Sequence, residues 1–133
     1  RVSWLCGQFG SNFVKTMLRL GRERDALQVV YDQWGSPTFA ENVIENALNL
    51  LGKNKIGTYH ITSKGLISWY DLAKAVFEIK DMNVSLEAVD SDTFPTKAKR
   101  PYFSKLNTQK LEAVAGSEII EWKEGLRKLL GQL

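Results

Sequence analysis

The stretch DQWGSPT at residues 32–38 decides how this chain folds, because it joins an apolar run, residues 29–31, to the clearest helical pattern in the sequence. Its glycine accepts backbone angles closed to other residues, and its proline fixes φ near the value of a first helical turn. We therefore predict a strand, a turn and a helix that begins at about Thr38. The turn gathers an amide, a carboxylate and two hydroxyls, which suits a polar, phosphate-bearing ligand. A plain strand-to-helix connection uses the same residue types and is the alternative.

Apolar residues at helical spacing follow this turn and predict an amphipathic helix over about residues 39–51. The face of this helix that we expect to be buried consists of Ala40, Val43, Ile44, Ala47, Leu48 and Leu51. Other helices are predicted from caps and periodicity. They are one capped by Ser11 or Asn12, one that begins at Trp69 behind the Ser-x-x-Asp cap of residues 68–71, a short one ending near Val114, and one over about residues 121–130.

Short strands alternate with these helices. The patterns predict strands at residues 1–6, 28–31, 58–62 and 84–89. Together they predict an α/β fold with a small sheet and several helices. The chain has 133 residues, 44% of them apolar, which is enough for one core and one domain over residues 1–133. That length leaves no room for a complete doubly wound sheet, and the sequence contains no Gly-x-Gly-x-x-Gly loop.

Composition excludes several classes of function. The net charge is only +3, and the densest basic run is residues 97–100, so we expect no nucleic-acid partner. No apolar run is long enough to span a bilayer and the start does not resemble a signal peptide, so we expect no membrane partner and a cytoplasmic location. Cys6 is the only cysteine, which excludes an internal disulfide and a thiolate metal cluster. His60 is the only histidine, and a structural role is favoured for it over catalysis.

The beginning of the chain predicts that it is part of a longer protein. Arg1 stands at the start of an alternating, strand-like pattern, with no initiator methionine or polar leader before it. We therefore expect part of the functional site to lie upstream.

Six blocks of the sequence occur in the order found in dTDP-4-dehydrorhamnose reductases, members of the extended short-chain dehydrogenase/reductase family. The blocks cover almost the whole chain, so the sequence resembles the C-terminal, substrate-binding portion of these reductases. They are RVSW at 1–4, NFVKTML at 12–18, DQWGSPT at 32–38, GTYH at 57–60, SWY at 68–70, and AKRP at 98–101 leading to S-x-LNT-x-KL at 104–111.

The resemblance implies an enzyme that passes a hydride from NADPH or NADH to the C4 ketone of dTDP-4-dehydro-L-rhamnose, giving dTDP-L-rhamnose. It also implies an N-terminal Rossmann domain, absent from this chain, that holds the glycine-rich loop and a catalytic Tyr-x-x-x-Lys pair. Tyr70 and Lys74 have that spacing but lie at another place in the family order. We therefore assign no catalytic residue within residues 1–133.

The resemblance further implies substrate contacts, each with a structural alternative. Trp4 corresponds to a tryptophan that stacks on the sugar, and its alternative is a core residue at a sheet edge. Asn12 corresponds to an asparagine that hydrogen-bonds the sugar nucleotide, and it is also a plain N-cap. Arg100 corresponds to an arginine near the diphosphate, which a guanidinium fork suits, and its alternative is a surface side chain. The remaining implied contacts are Ser3 to the cofactor and Gln33, Ser36 and Thr38 to the substrate.

One departure from the family concerns assembly. Some bacterial members are dimers bridged by magnesium through carboxylates, one of them at the position of Glu41. This chain has Gln132 where another carboxylate is expected, and magnesium prefers anionic oxygen ligands. We therefore assign no metal ligands, while a homodimer without the metal stays open.

Two other functions remain open at this point. The regulatory subunit of methionine adenosyltransferase belongs to the same superfamily, shares the Arg-Pro block, and acts by binding a partner enzyme. A reductase for a different nucleotide sugar is the second alternative. An upstream Tyr-x-x-x-Lys with a glycine-rich loop would favour reduction, and its loss would favour the binding subunit.

Overall fold

The computed structural model describes residues 1–93, 98, 100–114 and 116–133, which form an α/β fold as predicted. Short strands alternate with helices along this part of the chain. In order they are β1 (Leu5–Cys6), α1 (Phe13–Glu23), β2 (Ala26–Val30), β3 (Trp34–Gly35), β4 (Thr38–Phe39), α2 (Ala40–Gly52), β5 (Ile67–Ser68), α3 (Trp69–Ile79), β6 (Ser85–Val89), α4 (Gln109–Glu112) and α5 (Trp122–Gln132).

The described strands pair in three small sheets of two strands each. Strands β1 and β4 are parallel, with Leu5 opposite Thr38. Strands β2 and β6 are also parallel and pair over five residues, from Ala26 opposite Ser85 onward. Strands β3 and β5 are antiparallel, with Trp34 opposite Ser68. The predicted strand at residues 1–6 is therefore only two residues long, and residues 58–62, all described, form none.

The stretch at residues 32–38 is more structured than a simple turn. It contains β3 and the start of β4, and helix α2 begins at Ala40 instead of Thr38. The reason is that its backbone groups find partners on both sides: Trp34 and Gly35 pair with β5, while Thr38 pairs with β1. The stretch thus ties the start of the chain to the segment before α3.

The main core lies between α1, α3, α5 and the β2–β6 sheet. Its members include Val14, Leu72, Val76 and Leu126, all of them fully buried. The predicted caps are present: the Asn12 side chain accepts a hydrogen bond from the Lys15 amide at the start of α1. Ser68 and Asp71 form a capping box at the start of α3. These caps fix where the two helices begin.

The predicted buried face of α2 is wrong for half of its residues, since Ala40, Val43 and Ala47 are half-buried and the other three are exposed. Ile44, Leu48 and Leu51 are 58%, 63% and 71% exposed, whereas Asn42 and Asn46 are only 4% and 2% exposed. The buried asparagines face an irregular segment that follows α4. Asn46 donates from Nδ2 to the Glu118 carbonyl at 2.8 Å and accepts from the Glu118 amide at 3.1 Å. An irregular backbone without a ladder needs such side-chain partners, so polar residues take the inward face.

Two sequence predictions concern the rest of the surface. Of the basic run at residues 97–100, Lys97 and Lys99 lie outside the described residues. Among the described helices, none combines the length and the apolar character needed to cross a membrane.

Candidate functional site

A cavity of about 980 Å³ opens between the start of the chain, α1, β2 and the start of α3. This size lies at the upper end of the range of about 300 to 1,000 Å³ that is typical of small-molecule sites. Four of the residues that the resemblance implied line this one cavity: Ser3, Trp4, Gln33 and Arg100. Its apolar wall includes Phe13, Met17, Leu20, Val29, Val30 and Trp69.

The Trp4 indole forms part of the cavity wall and is held by other rings. Its centroid lies 3.7 Å from that of Trp69, with 15° between the two planes, so the rings are stacked. The Phe13 ring, on α1, packs against Trp69, with 4.6 Å between the ring centroids and 48° between the ring planes. A Cβ placed on Gly35 would lie 2.7 Å from Cε2 of Trp4. A side chain at residue 35 would therefore force the indole or a neighbouring group to shift, and one face of the indole is already covered by Trp69.

Trp4 also has an unusual backbone. Its φ is +48°, in the left-handed region that costs a residue with a side chain about 1 to 3 kcal/mol. The Trp4 carbonyl accepts hydrogen bonds from the Thr38 amide at 3.1 Å and from the Cys6 thiol at 3.4 Å. Strained backbone that its surroundings hold in place is frequent at functional sites.

Gln33 reaches the cavity as the end of a short hydrogen-bond chain. The Ser91 hydroxyl donates to Oδ1 of Asp32 at 2.6 Å, and the Ser91 amide donates to Oδ2 at 3.0 Å. Nε2 of Gln33 in turn donates to the Ser91 hydroxyl at 2.9 Å. No described residue donates to Oε1 of Gln33, so this oxygen is available to a ligand. The sequence analysis did not identify Ser91, and it counted the Asp32 carboxylate only as one of the polar groups of residues 32–38.

Arg100 lies exposed at the rim of the cavity. The residues after it are anchored to β3: Trp34 donates its amide to the Tyr102 carbonyl at 2.7 Å, and the Ser104 amide donates to the Trp34 carbonyl at 2.8 Å. No described carboxylate forms an ion pair with Arg100. The backbone after Arg100 is therefore anchored beside the cavity, and the guanidinium charge is available for an anion.

Ser36 and Thr38 are not among the described residues that line the cavity. Both are almost fully buried. The Ser36 hydroxyl donates to the Gly65 carbonyl, and the Thr38 hydroxyl donates to the Ser3 carbonyl at 2.5 Å. Thr62 joins them by donating to the Ser36 carbonyl at 3.1 Å. These hydroxyls hold the wall of the cavity, and through Ser3 they fix the start of β1.

Ser3 and Asn12 differ in their access to a ligand. The Ser3 hydroxyl lines the cavity and donates to the Ser36 carbonyl at 3.2 Å, which leaves its lone pairs free to accept. Asn12 is not among the described residues that line the cavity. Its Oδ1 caps α1, and its Nδ2 donates to the Gly7 carbonyl at 2.8 Å. Both ends of this amide are thus engaged in holding the loop before α1.

Cys6 lines the same cavity but is buried. Burial raises the pKa of the Cys6 thiol to about 11, partly offset by a hydrogen bond with the backbone of Val14. The thiol is therefore neutral at physiological pH. It forms part of the wall, and its raised pKa disfavours the thiolate form that a nucleophile needs.

A second cavity, of about 240 Å³, lies between α2 and α5 and contains Glu41 and Gln132. Nε2 of Gln132 donates a hydrogen bond to Oε1 of Glu41 at 2.6 Å. Gln132 thus presents a donor to the carboxylate, where a second carboxylate would present oxygen atoms. No group of three or more His, Cys, Asp or Glu side chains suited to a metal ion occurs among the described residues.

Comparison with known proteins agrees with the resemblance in the sequence. A dTDP-4-dehydrorhamnose reductase of Escherichia coli K12 is 38% identical to this chain, over 100% of the chain and 48% of that protein. A crystal structure of a dTDP-4-dehydrorhamnose reductase from Clostridium acetobutylicum is 40% identical, with a TM-score of 0.94 over 98% of this chain and 46% of that one. The reductase from Bacillus anthracis, solved in complex with NADP, is 37% identical, with a TM-score of 0.93 over 99% of this chain and 46% of that one.

This chain therefore spans about half the length of the relatives that it matches. The family model described as the RmlD substrate binding domain matches residues 1–133, which is the whole chain. The chain belongs to the family of the RmlD substrate binding domain.

Proposed function

We propose that this chain is the sugar-nucleotide-binding part of a dTDP-4-dehydrorhamnose reductase. The observation that carries the proposal is the single cavity lined by Trp4, Gln33 and Arg100, three residues far apart in the sequence. An aromatic ring, an amide and a guanidinium around an apolar wall suit a sugar linked to a diphosphate. The names of the relatives support the reaction: reduction of dTDP-4-dehydro-L-rhamnose to dTDP-L-rhamnose.

Each of these residues has a distinct role in the proposal. Trp4 offers the exposed part of its indole to a face of the sugar, and Oε1 of Gln33 accepts a hydrogen bond from a sugar hydroxyl or from the nucleotide base. Arg100 neutralises the diphosphate from the rim. Ser36, Thr38 and Asn12 act indirectly, because their polar atoms hold the backbone around the cavity. Binding at several separated points fixes the orientation of the ketone, which hydride transfer requires.

The proposed cofactor is NADPH or NADH, which supplies the hydride. The relative from Bacillus anthracis was solved with NADP. We propose that a Rossmann domain outside these 133 residues binds most of the cofactor. Within this chain, the Ser3 hydroxyl suits a contact with it, since its lone pairs are free at the cavity wall. The groups that transfer the proton also belong to that other domain in this proposal, because no residue here is assigned to catalysis.

The test is the reaction itself. The full-length protein is mixed with NADPH and dTDP-4-dehydrorhamnose, and oxidation of the cofactor is followed by absorbance. We expect oxidation that depends on the sugar nucleotide. Absence of oxidation under conditions in which a known reductase is active would refute the proposal.

A further inference from the structure

Trp69 is the ring on which the Trp4 indole rests. The two rings are stacked at 3.7 Å, and Trp69 itself lines the cavity. We propose that Trp69 is a positioning residue, which holds the Trp4 indole at the angle at which it meets the sugar. This inference rests on the proposed function, since it assigns Trp69 a part in binding the same substrate.

The conformation of Trp4 explains why its indole needs a support. Hydrogen bonding to Thr38 fixes the Trp4 backbone in the left-handed region, but it does not fix the side-chain angles. Those angles follow from what the ring packs against. Trp69 covers one face of the indole, and the missing side chain of Gly35 leaves room beside its Cε2 and Cζ2 atoms.

Trp69 is itself firmly held. It is the first residue of α3, directly after a capping box in which the Ser68 amide donates to Oδ2 of Asp71 at 2.8 Å. Strand β5 pairs Ser68 with Trp34, and Phe13 on α1 packs against the Trp69 ring. Trp69 is thus held by the start of α3, by the pairing of β3 with β5 and by α1. Through Trp69, these elements fix the angle of the Trp4 indole. Side chains locked in this way suit the support of a binding site.

Loss of this support should affect the turnover step more than binding. Arg100 and Gln33 would still contact the sugar nucleotide, so most of the affinity would remain. The ketone, however, would no longer be held at a fixed distance from the hydride donor. A displacement of about 1 Å can reduce the rate by about a hundredfold.

The experiment compares Trp69→Leu, Trp69→Met and Trp69→Phe in the full-length protein. The matched control is Trp122→Leu, because Trp122 is also a half-buried indole packed on the main core but lies outside the described lining of the cavity. We expect Trp69→Leu and Trp69→Met to lower kcat by about tenfold to a hundredfold. The KM for the sugar nucleotide should change by less than about threefold, since the other contacts remain. Trp69→Phe should recover most of the lost kcat, because it restores a flat ring.

A spectroscopic readout accompanies the kinetics. Stacked indoles couple their electronic transitions, so the Trp4–Trp69 pair should give a circular dichroism couplet. This couplet should disappear in all three Trp69 variants and persist in Trp122→Leu. Should Trp69→Leu fail to fold, Trp69→Met decides the question, since its flexible side chain fills similar space.

Each remaining outcome is decisive. An active wild type whose Trp69→Leu or Trp69→Met variant keeps its kcat would overturn the role of Trp69 alone. An equal loss of kcat in Trp122→Leu would also overturn it, since the effect would then come from general damage to the core. A wild type that does not reduce dTDP-4-dehydrorhamnose would overturn the proposed function and this inference with it.

Discussion

The asparagine face of α2 is the sharpest test of the fold. Nδ2 of Asn46 donates to the carbonyls of Asn42 and Glu118 at 2.9 and 2.8 Å, and its Oδ1 accepts from the Glu118 amide at 3.1 Å. The perturbation is Asn46→Ala, which removes all three bonds at a residue only 2% exposed. The control on the same helix is Leu48→Ala, at a position 63% exposed.

The expected cost of Asn46→Ala follows from these contacts. Three hydrogen bonds at a net value of about 0.5 to 1.5 kcal/mol each would be lost, and the Glu118 amide would be left without its partner. The better helix propensity of alanine returns about 0.5 kcal/mol. We therefore expect a loss of about 2 to 4 kcal/mol in the free energy of unfolding. Leu48→Ala should cost about 1 kcal/mol or less, since most of the leucine already contacts solvent.

Urea denaturation followed by far-ultraviolet circular dichroism measures both values. The hydrophobic periodicity of the sequence predicts the opposite order, with Leu48 in the core and Asn46 in solvent. A Leu48→Ala variant that loses more stability than Asn46→Ala would therefore refute the packing of α2 described above. Equal denaturant slopes in the two variants are needed for the comparison.

Three further predictions concern the cavity. Arg100→Ala should raise the KM for the sugar nucleotide by roughly tenfold to a hundredfold in steady-state kinetics, as for a lost charge-assisted hydrogen bond, and an unchanged KM would remove its role at the diphosphate. Gly35→Ala should lower the free energy of unfolding by about 1 to 3 kcal/mol, because the new Cβ meets Trp4 at 2.7 Å, and thermal unfolding with no shift would contradict this. Burial raises the pKa of the Cys6 thiol from 9.0 to about 11, so the folded state keeps the thiol proton to a higher pH than the unfolded chain does. The free energy of unfolding should therefore fall as pH rises from about 9 to 11. Cys6→Ala should flatten that decline in pH-dependent denaturation, and an identical slope would show that Cys6 is not its source.

The sequence predicted those parts of the fold that depend on local chemistry. The cap at Asn12 and the capping box at Ser68 each follow from residues close to one another in the chain. The strand predicted at residues 28–31 is also present, as β2 over residues 26–30. The buried face of α2 does not follow from nearby residues, because it depends on Glu118, which lies 72 residues after Asn46. Asn46 is inward only because the irregular backbone at Glu118 needs a donor and an acceptor, and periodicity alone carries no information about that partner.

The candidate site shows the same division between local and distant information. The resemblance grouped Trp4, Gln33 and Arg100 as substrate contacts, and all three line the same cavity. It could not separate residues that face a ligand from those that hold the wall: Ser36 and Thr38 stand in the same block as Gln33, yet their hydroxyls point to backbone carbonyls.

The role of Trp69 in supporting Trp4 could not be predicted from the sequence. As the first residue of a capped helix it has a full structural explanation in the sequence, and only the stacking geometry shows that it also supports Trp4. A block of family residues therefore mixes two kinds of side chain. Some of these side chains touch the ligand, and others hold the first kind in place. Their hydrogen-bond partners and ring contacts distinguish the two kinds, and those contacts depend on distant parts of the chain.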